Sequence, residues 1–218
     1  MAWRSRAPGH LTGTRRAALA IAAFLTAIAV AAAACSPGPT PAPTDTPDQG
    51  VPILPTPWAN GTTGQYGLRI DPSLLARLPK TVDAYPLTED AFTESLDMDD
   101  PDLAKAFDSY AAANIGAATE DDWLYATVGH FKPDLQSPAV WSDTYETWVD
   151  QYAGEDCSQA DGVSGTNQET INGWIVDEAT CSAGPVVYTL SLGQGVILSM
   201  LGSGPNDLGR KLIEAIYT

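Results

Sequence analysis

The chain has 218 residues, with 27 Asp and Glu against 11 Lys and Arg, a formal charge of −16. That balance has the wrong sign for nucleic acid, whose phosphates demand Lys and Arg, and it excludes adhesion to anionic lipid through a basic surface. With three cysteines, and His130 the one histidine beyond residue 34, there is also little material for a metal centre.

The first 34 residues differ from the rest. Arg4, Arg6, Arg15 and Arg16 occupy a stretch without acidic residues, and residues 17–34 read AALAIAAFLTAIAVAAAA. A basic segment followed by an apolar run is the layout of an export signal. Its alanines make it a weak permanent span but an adequate transient one. Ala32-Ala33-Ala34-Cys35 closes the run, and Ser36-Pro37-Gly38-Pro39 breaks any helix after it. AAAC resembles a bacterial lipobox, in which the cysteine thiol receives a diacylglycerol and becomes the first residue of the mature protein. The resemblance implies lipidation at Cys35. Two or more acyl chains hold a protein stably at a membrane without a transmembrane helix.

Residues 35–60 then form a spacer, with proline at 37, 39, 41, 43, 47, 52, 55 and 57 among Thr and Ala. Such a segment cannot bury enough apolar surface to offset its ordering entropy, and its prolines favour extended polyproline II. Residues 1–34 hold four of the eleven basic residues and no acidic ones, so the remainder has a formal charge of −20. This places the domain away from the bilayer, on the extracytoplasmic face.

Residues 61–218 have the size of one domain with its own core. A short β stretch over 66–70 leads to Asp71-Pro72, which opens a helical turn reaching Leu78. Thr88 through Leu96 offers a short helix. Asp99 or Asp100, with Pro101 and Asp102, opens a further helix that places Leu103, Phe107 and Tyr110 on one face. The DMDDPD run is therefore read as capping. A calcium loop would require Gly and Glu where Asp102 and Asp108 stand. The β-branched and aromatic residues of Trp123–Phe131 favour extended backbone, with apolar groups on both faces of a strand. Ser137-Pro138 opens a helix whose Trp141, Tyr145, Trp148 and Tyr152 form an aromatic stripe suited to covering a sheet. Sugar stacking is the functional alternative for that stripe. Asn172-Gly173 is a hairpin turn joining 168–171 to 174–177. Strands over 186–192 and 196–201 and a final helix over 208–216 complete an α+β fold, an antiparallel sheet built from hairpins with helices packed on one face.

With Cys35 committed to lipid, Cys157 and Cys181 remain, and in an oxidising compartment a disulfide between them is the economical assignment. No catalytic set stands out. His130 would have to serve any Ser-His-Asp triad, yet no serine sits in a GxSxG elbow. The acidic pairs Glu89-Asp90, Glu120-Asp121-Asp122, Glu155-Asp156 and Asp177-Glu178 keep hydrolysis by paired carboxylates open as the alternative function. No nucleotide-binding glycine loop or HExxH motif is present, so no cofactor and no metal is expected. The GSGPNDLG stretch is read as a turn and cap.

The AAAC motif, the Thr/Pro spacer, the passage ETINGWIVDEATCSAGPVVYTLSLGQGVILSMLGSG and the closing LGRKLIEAIY together resemble small secreted lipoproteins of actinobacteria, a group of uncharacterised function. The resemblance implies a signal peptide over 1–34, lipid at Cys35, a disulfide-containing domain over 61–218 and residence at the cell membrane. It supplies no catalytic residue. The expected function is a non-catalytic binding or accessory domain of the cell envelope, with a protein, glycan or lipid as ligand. The domain also resembles, more distantly, a PsbP/Mog1-like sandwich.

Overall fold

The computed structural model describes residues 61–116 and 122–216. The signal segment, Cys35, the proline-rich spacer and the acidic residues Glu120 and Asp121 lie outside the described residues.

Short strands β1 (Thr62–Thr63) and β2 (Arg69–Ile70) lead into a 3-10 turn over Pro72–Arg77, capped by Asp71 Oδ1 accepting from the Ser73 amide at 3.1 Å. A two-residue hairpin follows, β3 (Thr81–Val82) and β4 (Tyr85–Pro86), then β5 (Thr88–Glu89), helix α1 (Ala91–Asp97) and the single turn α2 (Leu103–Ala106). The long elements come next: β6 (Phe107–Gly116), β7 (Trp123–Phe131), α3 (Trp141–Asp156), β8 (Val163–Ile171), β9 (Trp174–Cys181), β10 (Val186–Gly193), β11 (Val196–Ser203) and α4 (Leu208–Ala215). The main sheet runs β1-β2-β6-β7-β11-β10-β9-β8, with β5 also on β6.

The α+β class expected from sequence holds, with two corrections. The sheet is mixed, because β2 pairs parallel to β6. Between those strands the chain makes a crossover through the 3-10 turn, β3, β4, β5 and α1, long enough for a parallel return. The helices cover both faces, not one. Along β11, Val196, Leu198 and Met200 join Leu208, Leu212 and Ile213 of α4, whereas Ile197 joins Trp148, Tyr152 and Ala153 of α3. A strand apolar on both sides exposes hydrocarbon unless both faces are covered, and β11 meets that condition residue by residue.

The helix expected to carry Leu103, Phe107 and Tyr110 on one face ends at Ala106. From Phe107 onward the chain is strand, paired with β7 from Phe107↔Phe131 to Gly116↔Trp123. Its Ala111, Ala112 and Ala113 are fully buried. Alanine favours helix in isolation, but that preference is worth only tenths of a kcal/mol per residue against a full ladder of cross-strand pairing. Gly129 fits the same arrangement: a Cβ there would lie 2.5 Å from the Phe107 ring, so the aromatic covers the bare backbone of the neighbouring strand.

The aspartates of DMDDPD tie loops and helix starts. Asp100 Oδ1 accepts from the amides of Asp102 and Leu103 at 2.6 and 3.1 Å, so the capping residue is Asp100 rather than Asp102. Asp99 accepts from the Gln65 amide at 2.7 Å, and Asp102 pairs with Lys105. Asn172 and Gly173 take φ values of 46° and 87°, the two left-handed positions of a type I′ hairpin. Asp207 caps α4 through the Arg210 amide at 3.1 Å, as a turn-and-cap reading of GSGPNDLG requires.

Cys157, just beyond α3, is bonded to Cys181 at the end of β9, with Cα atoms 5.1 Å apart and both side chains buried. The bridge closes a loop of sequence separation 24. Restricting the unfolded chain by that amount stabilises the fold by roughly 3.5 kcal/mol.

Candidate functional site

The register of the sheet assembles a feature that no single strand displays. Gln168 lies opposite Asp177, Asp177 opposite Thr189, Thr189 opposite Ser199, and Ser199 opposite Thr127. Directly opposed residues point to the same side, so a row of polar side chains crosses β8, β9, β10, β11 and β7 beneath α3. Val187 and Ile197 flank it in the buried core.

The aromatic stripe of α3 lies over this row and hydrogen-bonds to it. The Tyr145 hydroxyl donates to Asp177 Oδ2 at 2.7 Å, and Gln168 Nε2 donates to Asp177 Oδ1 at 2.8 Å. Trp148 Nε1 donates to Ser199 Oγ at 2.9 Å, and Thr127 Oγ1 donates to the Ser199 carbonyl at 3.3 Å. Trp148 and Tyr152 are buried and stack on each other at 5.6 Å, while Phe107 meets Trp148 edge-on at 4.7 Å. These rings form a core seam whose polar ends reach into the sheet. The Thr189 Oγ1, buried, has no hydrogen-bond partner among the described residues.

Towards β6 the polar row gives way to acids and tyrosines. Asp97 Oδ2 accepts from the Tyr110 hydroxyl at 2.7 Å, and Tyr110 Oη lies 3.2 Å from Tyr125 Oη. Burial pushes Asp97 up to about 6, opposed by the hydrogen bond from Tyr110. Burial likewise raises Asp156, beside Tyr152, to about 6. Glu94 of α1 is wholly buried and is pushed up to about 7, first by desolvation, although the Ala112 amide donates to its Oε1 at 2.9 Å. That hydrogen bond fills the edge of β6 between the segments covered by β2 and β5. Burial also raises Tyr110 and Tyr125 well above the usual phenol range.

The other residues singled out by sequence are dispersed. His130 Nδ1 lies 2.9 Å from Asp108 Oδ1, and its Nε2 lies 3.2 Å from Gln136 Nε2. The adjoining Ser109 donates to Asp108 rather than to the imidazole, so these contacts do not form a triad. Asp90 caps α1 and accepts from Asn114 Nδ2 at 3.0 Å. Buried Asp122 accepts from the amide and side chain of Asn206. Glu155 accepts from Gln151, and Glu178 lies with Glu169, Asp207 and Arg210 on the side of the sheet away from Asp177. Adjacent acids on a strand point to opposite faces, so a sequence pair such as Asp177-Glu178 does not make a catalytic pair. Among the described residues no three His, Cys, Asp or Glu side chains converge as metal ligands.

Both flanks of α3 are open. A cleft of about 310 Å³ runs between α3 and strands β8–β10, lined by Asp150, Ala153, Gln168, Asp177, Val187 and Thr189 among others. On the opposite flank a cleft of about 520 Å³ has Phe131, Leu135, Val140 and Trp148 for apolar walls and Lys105 and Thr144 at its polar side. The strands did contain a local sign of this seam: Thr127, Thr189 and Ser199 are polar residues buried among apolar neighbours in the middle of their strands. Their alignment depends on register and is not legible strand by strand.

Fold and seam together define a disulfide-bonded α+β domain with a helix laid across a polar row of its sheet. No protein-family model matches the chain. No curated protein matches it, and no solved structure does, whether a PsbP/Mog1-like sandwich or any other fold.

Proposed function

We propose that this chain is a lipoprotein of the actinobacterial type, anchored through acylated Cys35 with its folded domain on the extracytoplasmic face of the cell membrane, where it acts as a non-catalytic binding or accessory module. The observation that carries the reading is the Cys157–Cys181 bridge. A buried structural disulfide belongs to a protein that folds in an oxidising compartment, which agrees with an N-terminal segment of export-signal layout and an AAAC motif. Binding is favoured by α3, whose two flanks offer clefts of ligand size, while Asp90 and Glu94 of the sequence's first acidic cluster are engaged in a helix cap and a strand-edge hydrogen bond. An acidic domain on a proline-rich spacer stands clear of the anionic membrane surface.

Intact-mass analysis of protein extracted from membranes of an actinobacterial host tests the anchor. The expected mass is that of a chain beginning at Cys35 with added acyl groups and lacking two hydrogens for the disulfide. Cys35→Ala should move the protein out of the acylated fraction. A wild-type mass that retains residues 1–34, or a cleaved chain without lipid, overturns the reading.

A further inference from the structure

The smaller cleft beside α3 has a composition that selects a ligand class. Asp150 approaches from the helix and Asp177 from β9, and no Lys, Arg or His is among the residues lining it. Asp177 is held in place by Tyr145 and Gln168, one on each carboxylate oxygen, and each oxygen keeps a further lone pair. At the floor lies Thr189, only 1% exposed, with a hydroxyl that has no hydrogen-bond partner among the described residues. A buried hydroxyl left unpaired is unfavourable and is relieved by a donor or acceptor brought in from outside. Ala153 and Val187 give the same cleft an apolar side.

These features describe a receptor for a cation with several N–H donors on an apolar stem. A divalent metal is poorly served: Glu178 also borders the cleft, but it is engaged with Glu169 and Arg210, and Asp150, Asp177 and one hydroxyl fall short of a metal's coordination shell. Among the described residues no three such side chains are placed to hold a metal ion. A primary ammonium carries three donors, matching two carboxylates and one hydroxyl, and its methylenes can lie on alanine and valine.

We propose that the α3 cleft binds an aliphatic primary amine, with the ammonium between Asp150 and Asp177 above the Thr189 hydroxyl and the methylene chain along Ala153 and Val187. This deepens the binding reading above by naming a ligand class. It is independent of the lipid anchor, so failure here leaves the result at Cys35 standing.

The test is titration calorimetry of the full processed chain, purified in neutral detergent from whichever fraction of the producing cells holds it, with 1,5-diaminopentane as probe and pentan-1-ol as its uncharged counterpart. One saturable site for the diamine and none for the alcohol is expected. Asp177→Asn and Asp150→Asn should each weaken the diamine by about tenfold or more, because each removes a charge-assisted hydrogen bond. Asp150 is exposed on the helix, so its variant tests the site even if Asp177→Asn unfolds the domain. Asp134→Asn, on the exposed turn after β7, should leave the affinity unchanged. The proposal is overturned by the absence of saturable heat, by equal binding of the alcohol, or by equal weakening from Asp134→Asn, which would mark diffuse counterion attraction to an acidic chain.

Discussion

On the α4 side of the sheet, Val128, Leu190, Leu198 and Met200 meet Leu208, Leu212 and Ile213 through aliphatic contacts. On the α3 side the same strands present Thr127, Thr189 and Ser199 between Val187 and Ile197, and the helix above answers with tyrosine and tryptophan. One face is held by hydrocarbon that any displacement would expose. The other is held partly by hydrogen bonds whose strength depends on geometry and protonation. The difference teaches where this fold keeps its stability and where it keeps groups able to respond to a ligand or to pH.

The comparison breaks most visibly on the aliphatic side. Leu212→Ala should cost about 3 kcal/mol in chemical denaturation, since its side chain is fully buried in α4 and leaves a cavity. A loss under about 1 kcal/mol would show that α4 is peripheral and would reverse the assignment of the two faces.

Protonation sharpens the comparison at an intermediate size. Glu94, Asp97 and Asp156 have folded-state values raised to about 7, 6 and 6. The folded state therefore binds their protons more tightly than the unfolded chain, and their contribution is fullest below about pH 4 and is lost as pH rises towards 7. The domain should melt at lower temperature at pH 8 than at pH 5. Glu94→Gln keeps an oxygen for the Ala112 amide but cannot ionise. It should raise stability at pH 8 by about 2 kcal/mol and flatten the pH dependence between 5 and 8. An unchanged slope in that variant would mean that Glu94 is not the titrating group.

The smallest effect separates aromatic packing from hydrogen bonding beneath α3. Trp148→Phe retains a ring against Phe107 and removes the donor to Ser199, so in a mutant cycle the summed losses of Trp148→Phe and Ser199→Ala should exceed that of the double variant by about 1 kcal/mol. Additive losses would show that the seam is held by ring contacts alone.

Much of the domain was legible in local chemistry. Trp123–Phe131 is a strand with the same limits in sequence and structure, because its β-branched and aromatic residues suit a pleat and its neighbours do not. Asn172-Gly173 marked its hairpin through the left-handed backbone that those residues accept. The Cys157–Cys181 pairing followed from cysteine economy. The failure at Phe107–Gly116 has an equally local cause. Its alanines favour helix, and only the adjacent β7, a partner distant in hydrogen-bonding terms until the chain has folded back, makes extended backbone the better choice.

Local chemistry along the chain was enough for the strand over Trp123–Phe131, the turn at Asn172-Gly173, the closing helix and the cysteine pairing, since each of these rests on near neighbours or on composition. Only the tertiary structure decided that helices cover both faces, that β2 runs parallel to β6, and that Gln168, Asp177, Thr189, Ser199 and Thr127 lie in one row. Those outcomes depend on register, and a shift of one residue between strands would send every one of those side chains to the opposite face.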